Sequence, residues 1–182
     1  SFEQTSSLQV NLQQITTLPN DNFANAEIIS SLPINITVDN TNASFESGEP
    51  QGCSSVFRSV WYAFTPSENM TLRVDMAGSV ISGNISILLA SGPEISDLTF
   101  VACASSGNSP NFQVEAGRTY YLRVDSSFGQ PGSLQVNLQQ ITPPSNDNFA
   151  NAEVITSLPF NVTIDNTNAT TEPNEPMLGC SF

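Results

Sequence analysis

The chain has 182 residues, of which 17 are acidic and four are basic, and it contains neither lysine nor histidine. The formal charge of −13 disfavours a nucleic-acid or anionic-membrane partner, because both bind through cationic side chains. Without histidine, serine–histidine and cysteine–histidine catalysis is excluded, and we expect no enzymatic activity. No run of about 18 apolar residues is present, so we predict no membrane-spanning segment.

The sequence repeats itself over the length of a domain. The stretch NDNFANAE occurs at 20–27 and again at 146–153, and about 31 of 43 aligned positions are identical between 8–50 and 134–176. A spacing of about 126 residues is typical of one domain with its own core. The chain is therefore expected to be a window on a longer tandem array, cut within a repeat at both ends. The repeat divides it into the terminal strand of a preceding repeat (1–16), one complete repeat (17–142) and the first part of the following repeat (143–182).

Apolar and polar residues alternate along most of the complete repeat, and this period of two predicts β-strands. The predicted strands, in chain order, are 34–38, 59–64, 71–76, 84–90, 98–103, 111–114, 118–125 and 134–142. In SVWYAF (59–64) both faces are expected to be covered. Only NFANAEII (22–29) could form a helical turn, with Asp21 or Asn22 as its cap. About eight strands with one buried face predict an all-β, antiparallel two-sheet β-sandwich of jelly-roll type, repeated in a tandem array.

The three cysteines fit one disulfide per repeat. Cys53 and Cys103 lie in the complete repeat and are predicted to pair with each other. Cys180 is the counterpart of Cys53, and its partner would lie beyond the chain as given. The alternative is two buried free thiols.

Acidic residues recur in turn-rich segments near the predicted domain junction, and carboxylate and amide oxygens are the ligands that Ca²⁺ prefers. They predict a calcium site built from Asp21, Asp39, Glu46 and Glu49 in the first copy and Asp147, Asp165, Glu172 and Glu175 in the second. The alternative interpretation gives Asp21 and Asp39 capping and Asx-turn roles and leaves the glutamates in solvent.

Two further sets of residues have a functional and a structural interpretation. Six sequons could accept glycans if the organism glycosylates secreted proteins; they are at Asn35, Asn42, Asn69, Asn84, Asn161 and Asn168. Four aromatic residues could form a sugar-binding platform, although aromatic residues in strands are more often part of the core; they are Trp61, Tyr62, Tyr120 and Tyr121.

The order of motifs NDNFANAEIISSLP, DNTNASFESGEP, SVWYAFTP, LTFVACASS and VEAGRTYYLRVDSS resembles that of bacterial pre-peptidase C-terminal-like (PPC-like) domains. The resemblance covers 20–142. It implies a secreted β-sandwich module, found as an appendage of extracellular enzymes and in tandem in large surface proteins. It also implies calcium near the N-terminal linker, as in the collagen-binding modules of bacterial collagenases. This chain departs from the family at VISGNIS (80–86) and ASSGNS (104–109), where members often carry the acidic segments DFDT and NDD.

These features predict a structural repeat unit of an extracellular fibre or cell-surface polymer. Consecutive sandwiches would stack through short, calcium-stabilised junctions, and their partners would be other repeats of the same chain and neighbouring copies in a fibre. One alternative is an adhesive module that displays many weak sites for polysaccharide or protein. The other is lateral assembly, in which the strand at 8–16 pairs with a different chain by strand donation.

Overall fold

The structure is a computed structural model that describes residues 9–170 apart from Gln13, Ile15 and residues 54–56. Its described residues form β-strands and short 3₁₀ helices. The strands are β1 (Glu27–Ile29), β2 (Ile34–Asp39), β3 (Ser59–Phe64), β4 (Met70–Asp75), β5 (Gly83–Ala90), β6 (Leu98–Ser105), β7 (Asn111–Val114), β8 (Tyr120–Ser126) and β9 (Ser133–Ile141). The 3₁₀ helices are Phe23–Asn25, Ile95–Asp97, Ser127–Gly129 and Phe149–Asn151. No helix in this part of the chain is long and apolar enough to cross a membrane.

The strands form two sheets, which confirms the predicted all-β sandwich. The five-stranded sheet has the order β1-β3-β8-β5-β6, and the four-stranded sheet has the order β2-β9-β4-β7. If β2 to β9 are counted as strands one to eight, the sheets read 2-7-4-5 and 1-8-3-6. Consecutive strands therefore cross between the sheets as in a jelly roll, except for β5 and β6, which pair within one sheet. The described residues contain one such sandwich.

The first strand, β1, was not predicted. Residues 22–29 were expected to form a helical turn, but only Phe23–Asn25 do so, and the next residues pair in parallel with β3, with Glu27 opposite Tyr62. The predicted cap is also wrong, because Asn22 occupies the cap position without a side-chain hydrogen bond. The carboxylate of Asp21 is instead bound to Ser44, 23 residues along the chain.

Alternate residues of both sheets meet in one core, as the period of two predicts. Fully buried examples are Val60 on β3, Val74 on β4, Ile87 on β5, Val124 on β8 and Leu138 on β9. A second, smaller cluster lies on the outer face of the five-stranded sheet and consists of Phe23, Trp61, Leu88 and Leu98.

The four aromatic residues named above belong to the packed interior, so their core interpretation is confirmed. Tyr62 and Tyr120 lie in the main core, and Trp61 is fully buried in the smaller cluster. Tyr121 is half-buried against that cluster. Since β3 is covered on both faces, none of its six residues is exposed.

Identical sequence takes two different environments in this chain. Val136 and Leu138 are fully buried in β9, which lies between β2 and β4. Their counterparts Val10 and Leu12 are 69% and 95% exposed, and residues 9–12 form no strand. A strand needs neighbours to accept its hydrogen bonds and cover its side chains, and only the second copy has them here.

Candidate functional site

The stretch Asn20–Phe23 anchors the start of the sandwich to β3. The Asn20 side-chain amide donates a hydrogen bond to the Trp61 carbonyl at 3.0 Å, and the Trp61 amide donates to the Asn20 carbonyl at 2.9 Å. The Phe23 ring packs edge-on against Trp61 with 5.4 Å between ring centroids, and it lies 4.6 Å from the Tyr121 ring. Because these polar groups and rings are all engaged, the repeated letters NDNF have a structural role in the complete unit.

Two carboxylates connect this anchor to the segment 40–53, which we call the strap. Asp21 accepts hydrogen bonds from the Ser44 amide at 2.6 Å and from the Ser44 hydroxyl at 2.7 Å. Glu46 accepts one from the Phe23 amide at 2.8 Å. The strap is therefore tied to the first residues of the domain before it crosses the sheet.

A buried charge cluster lies beneath the strap. Glu49 Oε1 accepts hydrogen bonds from the Glu46 amide at 2.9 Å and the Ser59 hydroxyl at 2.6 Å. Its Oε2 is 3.7 Å from Arg123 Nε, and Asp125 Oδ2 is 3.5 Å from the same nitrogen. The side chains of Glu49, Arg123 and Asp125 have no exposed area. Burial raises the pKa of Glu49, and the hydrogen bonds and the Arg123 charge oppose this shift.

Sequence reasoning missed this cluster. Alternation along β8 places Arg123 and Asp125 together on its outward face, and such residues are expected in solvent. Nothing local indicated that the strap would cover them and that Glu49 would join them. The interpretation of the glutamates as solvated is therefore wrong for Glu49, whose side chain is buried. The Glu46 carboxylate accepts a hydrogen bond from the Phe23 amide.

The end of the strap is held covalently. Cys53 and Cys103 form a disulfide with 5.4 Å between their Cα atoms, which confirms the predicted pairing. The Cys53 amide also donates to the Ser86 hydroxyl on β5 at 3.0 Å. Gly52 permits this close approach, because a Cβ added there would lie 2.1 Å from the Ser86 hydroxyl oxygen. Cys180 lies outside the described residues.

The second copy of the repeat reproduces the local bonds of the first. Asp147 accepts hydrogen bonds from the Thr170 amide at 2.8 Å and from its hydroxyl at 2.5 Å, as Asp21 does from Ser44. Asp165 accepts from the Thr167 amide at 2.9 Å, and Asp39 makes the same bond to Thr41. The packing differs, since Phe149 is 86% exposed whereas Phe23 is 8% exposed.

The bonds to Asp39 and Asp165 match the Asx-turn interpretation. In each case the hydroxyl and amide of the threonine two residues on hold the pKa of the carboxyl below its ordinary value. Both aspartates are fully exposed, so water screens these interactions.

The predicted calcium ligands do not converge in the described part of the chain. Asp21, Asp39, Glu46 and Glu49 each accept hydrogen bonds from nearby groups, and no three acidic or cysteine side chains there form a group that could hold a metal ion. Glu172 and Glu175 lie outside the described residues. The calcium site stays a prediction.

The sequons differ in accessibility. Asn35, Asn42, Asn69 and Asn161 are exposed, and Asn168 is half-buried. Asn84 is 7% exposed, and its side-chain amide donates to Asp125 Oδ1 at 3.1 Å. A glycan on Asn84 would not fit this packing.

The outer face of the four-stranded sheet, which we call the polar face, carries a chain of side-chain hydrogen bonds. Thr37 donates to Gln135 at 2.7 Å, Gln135 donates to Asn35 at 2.8 Å, and Asn35 donates to Asn137 at 2.6 Å. Asn137 then donates to Asp75 at 2.7 Å. The bonds run across β2, β9 and β4, so they fix the positions of the side-chain amides on the surface of this sheet. A shallow depression of about 460 Å³ lies on this face beside Asn35, Asp75 and Asn137.

On the same face, at β4 and the edge strand β7, the second copy contacts the complete unit. Arg73 on β4 donates through Nη2 to the Thr167 carbonyl at 2.6 Å, and the Asn111 side chain on β7 donates to the Ala169 carbonyl at 3.1 Å. The sequence offered one signal for this contact, since Arg73 is one of only four cations in an acidic chain.

No protein-family model matches the sequence, and a search of curated proteins finds no match either. Among solved structures, the chain is similar to the pre-peptidase C-terminal domain of a collagenase from Bacillus anthracis, with 16% identity and a TM-score of 0.41 over 63% of this chain and 94% of that one. It is also similar to PliG, a periplasmic inhibitor of g-type lysozyme. Salmonella Typhimurium PliG has 13% identity and a TM-score of 0.36 over 64% of this chain and 98% of that one. Aeromonas hydrophila PliG has 13% identity and a TM-score of 0.40 over 63% of this chain and 96% of that one. These values are too low to assign a family or a function.

Proposed function

We propose that this chain is a structural repeat unit of an extracellular fibre or surface polymer, in which PPC-like β-sandwiches follow one another through short junctions. One observation carries the proposal: the second NDNF stretch takes the local structure of the first. The Asp147–Thr170 bonds match the Asp21–Ser44 bonds, and β9 ends at Ile141, only a few residues before Asn146. A junction that repeats its local structure presents the same geometry at every step of an array.

An extracellular or cell-surface location is supported by the Cys53–Cys103 disulfide, because disulfides persist in oxidising compartments. The surface supports it as well. The polar face carries neutral amide and hydroxyl groups that bind water, and the chain has little positive charge.

Electron microscopy of the protein purified from its source tests this function. A sandwich of about 126 residues is on the order of 35–40 Å across, so fibres with an axial repeat of that size are expected. Flexible monomers without an axial repeat would count against the proposal.

Calcium at the junction is a separate part of the proposal. Its support is the recurrence of four acidic positions in both copies, at 21 and 147, 39 and 165, 46 and 172, and 49 and 175. Binding would require some of the present hydrogen bonds to open, because the described carboxylates do not converge. Thermal melts in calcium chloride and in EGTA test it. A higher melting temperature in calcium is expected, and identical melts would remove calcium from the proposal.

A second candidate is an adhesive module for polysaccharide, and the depression on the polar face favours it. Asn35, Asn137 and Asp75 are held in place there by hydrogen bonds, and amides and carboxylates are the groups that bind sugar hydroxyls. A glycan array tests this candidate, with Asn137→Ala and Asp75→Ala as variants. Binding that these variants weaken would support adhesion, and an array without any signal would oppose it.

A further inference from the structure

Arg73 and Asn111 form a pre-arranged pair of donors on the polar face. They are directly opposite each other in the register of β4 and β7, and Arg73 Nε donates to Asn111 Oδ1 at 3.0 Å. This bond fixes the planes of both side chains. It leaves Arg73 Nη2 and Asn111 Nδ2 to donate to the carbonyls of Thr167 and Ala169.

The loop that they contact is held in shape by hydrogen bonds within the second copy. The Thr167 amide donates to Asp165, and the Ala169 amide donates to the Asn166 carbonyl at 3.0 Å. The Thr170 amide and hydroxyl are bound to Asp147. With the Thr167 and Ala169 amides engaged inside the turn, the loop DNTNA (165–169) presents the carbonyl oxygens of these two residues to the polar face.

The first copy of DNTNA (39–43) shows that these carbonyls are a guanidinium acceptor. Arg58 Nη1 donates to the Thr41 carbonyl at 2.5 Å and to the Ala43 carbonyl at 3.5 Å. Thr41 and Ala43 are the counterparts of Thr167 and Ala169, so the same two carbonyls accept side-chain donors in both copies. In the first copy Arg58 binds both, whereas in the second Arg73 binds Thr167 and Asn111 binds Ala169. A carbonyl oxygen has two lone pairs and can accept from two donors at once.

We infer that Arg73 and Asn111 are a docking site for the DNTNA loop of the following unit. The loop is then held from inside its own unit by the counterpart of Arg58 and from outside by Arg73 of the unit before it. The contact sets the angle between neighbouring units, because it joins the end of one polar face to the start of the next domain. Its role in an array rests on the proposed function, whereas the contact itself lies within this chain.

Nuclear magnetic resonance on the 182-residue protein tests the site with Arg73→Gln and Asn111→Ala. Each variant is expected to shift the carbonyl ¹³C signals of Thr167 and Ala169. Each should also lower the order parameters of 165–170 from about 0.85, typical of a rigid backbone, to below about 0.6. Arg118→Gln is the matched control, since Arg118 is a partly exposed arginine that pairs with Glu115 three residues earlier. It should leave residues 165–170 unchanged.

Two variants are used because each removes one of the two donors. If Arg73→Gln does not fold, Asn111→Ala still tests the site. Folding is checked from the unchanged amide signals of β3 and β8. Order parameters and carbonyl shifts of 165–170 that match the wild type in a folded variant would overturn the docking site. Fibres in the microscope combined with that result would leave the proposed function standing without this contact. Altered signals in the absence of fibres would support the docking site and contradict the proposed fibre function.

Discussion

The carboxylate of Asp21 binds Ser44 twice, through the backbone amide at 2.6 Å and the hydroxyl at 2.7 Å. This pair ties the first residues of the sandwich to the strap. In the second copy threonine replaces serine at position 170 and retains the hydroxyl that Asp147 binds. The pair thus supplies a structural reason for an acid at this position in both copies, independent of any metal.

Replacing Asp21 with alanine is expected to destabilise the sandwich by about 2–3 kcal/mol, because the two hydrogen bonds that Ser44 donates to the buried Asp21 carboxylate are lost. Asp147→Ala is the matched control. It removes the same bonds from the second copy, and the sandwich should lose less than about 0.5 kcal/mol. Urea unfolding measures both. Equal losses in the two variants would contradict the role assigned to Asp21.

Phe23→Ala is expected to cost about 3–4 kcal/mol, since it opens a cavity against Trp61 and Tyr121. Phe149→Ala should cost little, because that ring is 86% exposed. Trp61 is the only tryptophan, so its emission reports the cluster directly. A red shift is expected in Phe23→Ala alone. Unchanged emission in that variant would show that the ring does not cover Trp61.

Loss of the Cys53–Cys103 disulfide is expected to lower the free energy of unfolding by about 3–4 kcal/mol, because the closed loop spans 50 residues. The double variant Cys53→Ser, Cys103→Ser and the reduced wild type should unfold at similar urea concentrations. Peptide mapping without reductant should recover the two cysteines as one linked fragment. Recovery of both as free thiols would contradict the pairing.

The buried Glu49 predicts a pH dependence. Its pKa in the folded protein is raised above the ordinary value of 4.5, so the folded state holds the proton over a range where the unfolded chain has released it. The free energy of unfolding of the wild type should therefore fall, relative to Glu49→Gln, as the pH rises above 4.5.

Urea unfolding of both proteins between about pH 2.5 and 8 measures this difference. Asp39→Asn is a control of opposite sign. The pKa of Asp39 is lowered, so the wild type loses stability relative to that variant only as the pH falls below 3.8. If the free energies of unfolding of the wild type and Glu49→Gln differ by the same amount at every pH, burial does not destabilise the ionised form of Glu49.

Alternation made the strands of this protein predictable. Val60 and Tyr62 face the core and Trp61 the opposite cluster, as the period of two along 59–64 requires. The short strand β1 was not predictable in the same way. It has only three residues, and Ile28 in its middle is 73% exposed. The strand forms because it pairs with β3, and its own apolar pattern is too short to indicate this.

The site was predictable only in part. An Asx turn depends on residues two positions apart, so the roles of Asp39 and Asp165 could be anticipated from DNT. Asp21 and Glu49 bind groups brought to them by the strap. Their partners could not be found from spacing, because a loop of polar residues has no period that determines where it lies.

By itself, the sequence determined the repeat and the sandwich class, since periodicity does not depend on distant neighbours. It predicted that Cys53 pairs with Cys103 but left free thiols as an alternative, and the tertiary structure decided for the disulfide, because it brings the two Cα atoms to 5.4 Å. Tertiary structure decided what the acids do and whether a given strand forms. The letters QVNL are exposed at 9–12 and lie in β9 at 135–138, where β2 and β4 supply hydrogen bonds and cover. Burial and hydrogen bonding belong to the surroundings of a residue, and in this chain those surroundings come from segments far away in sequence.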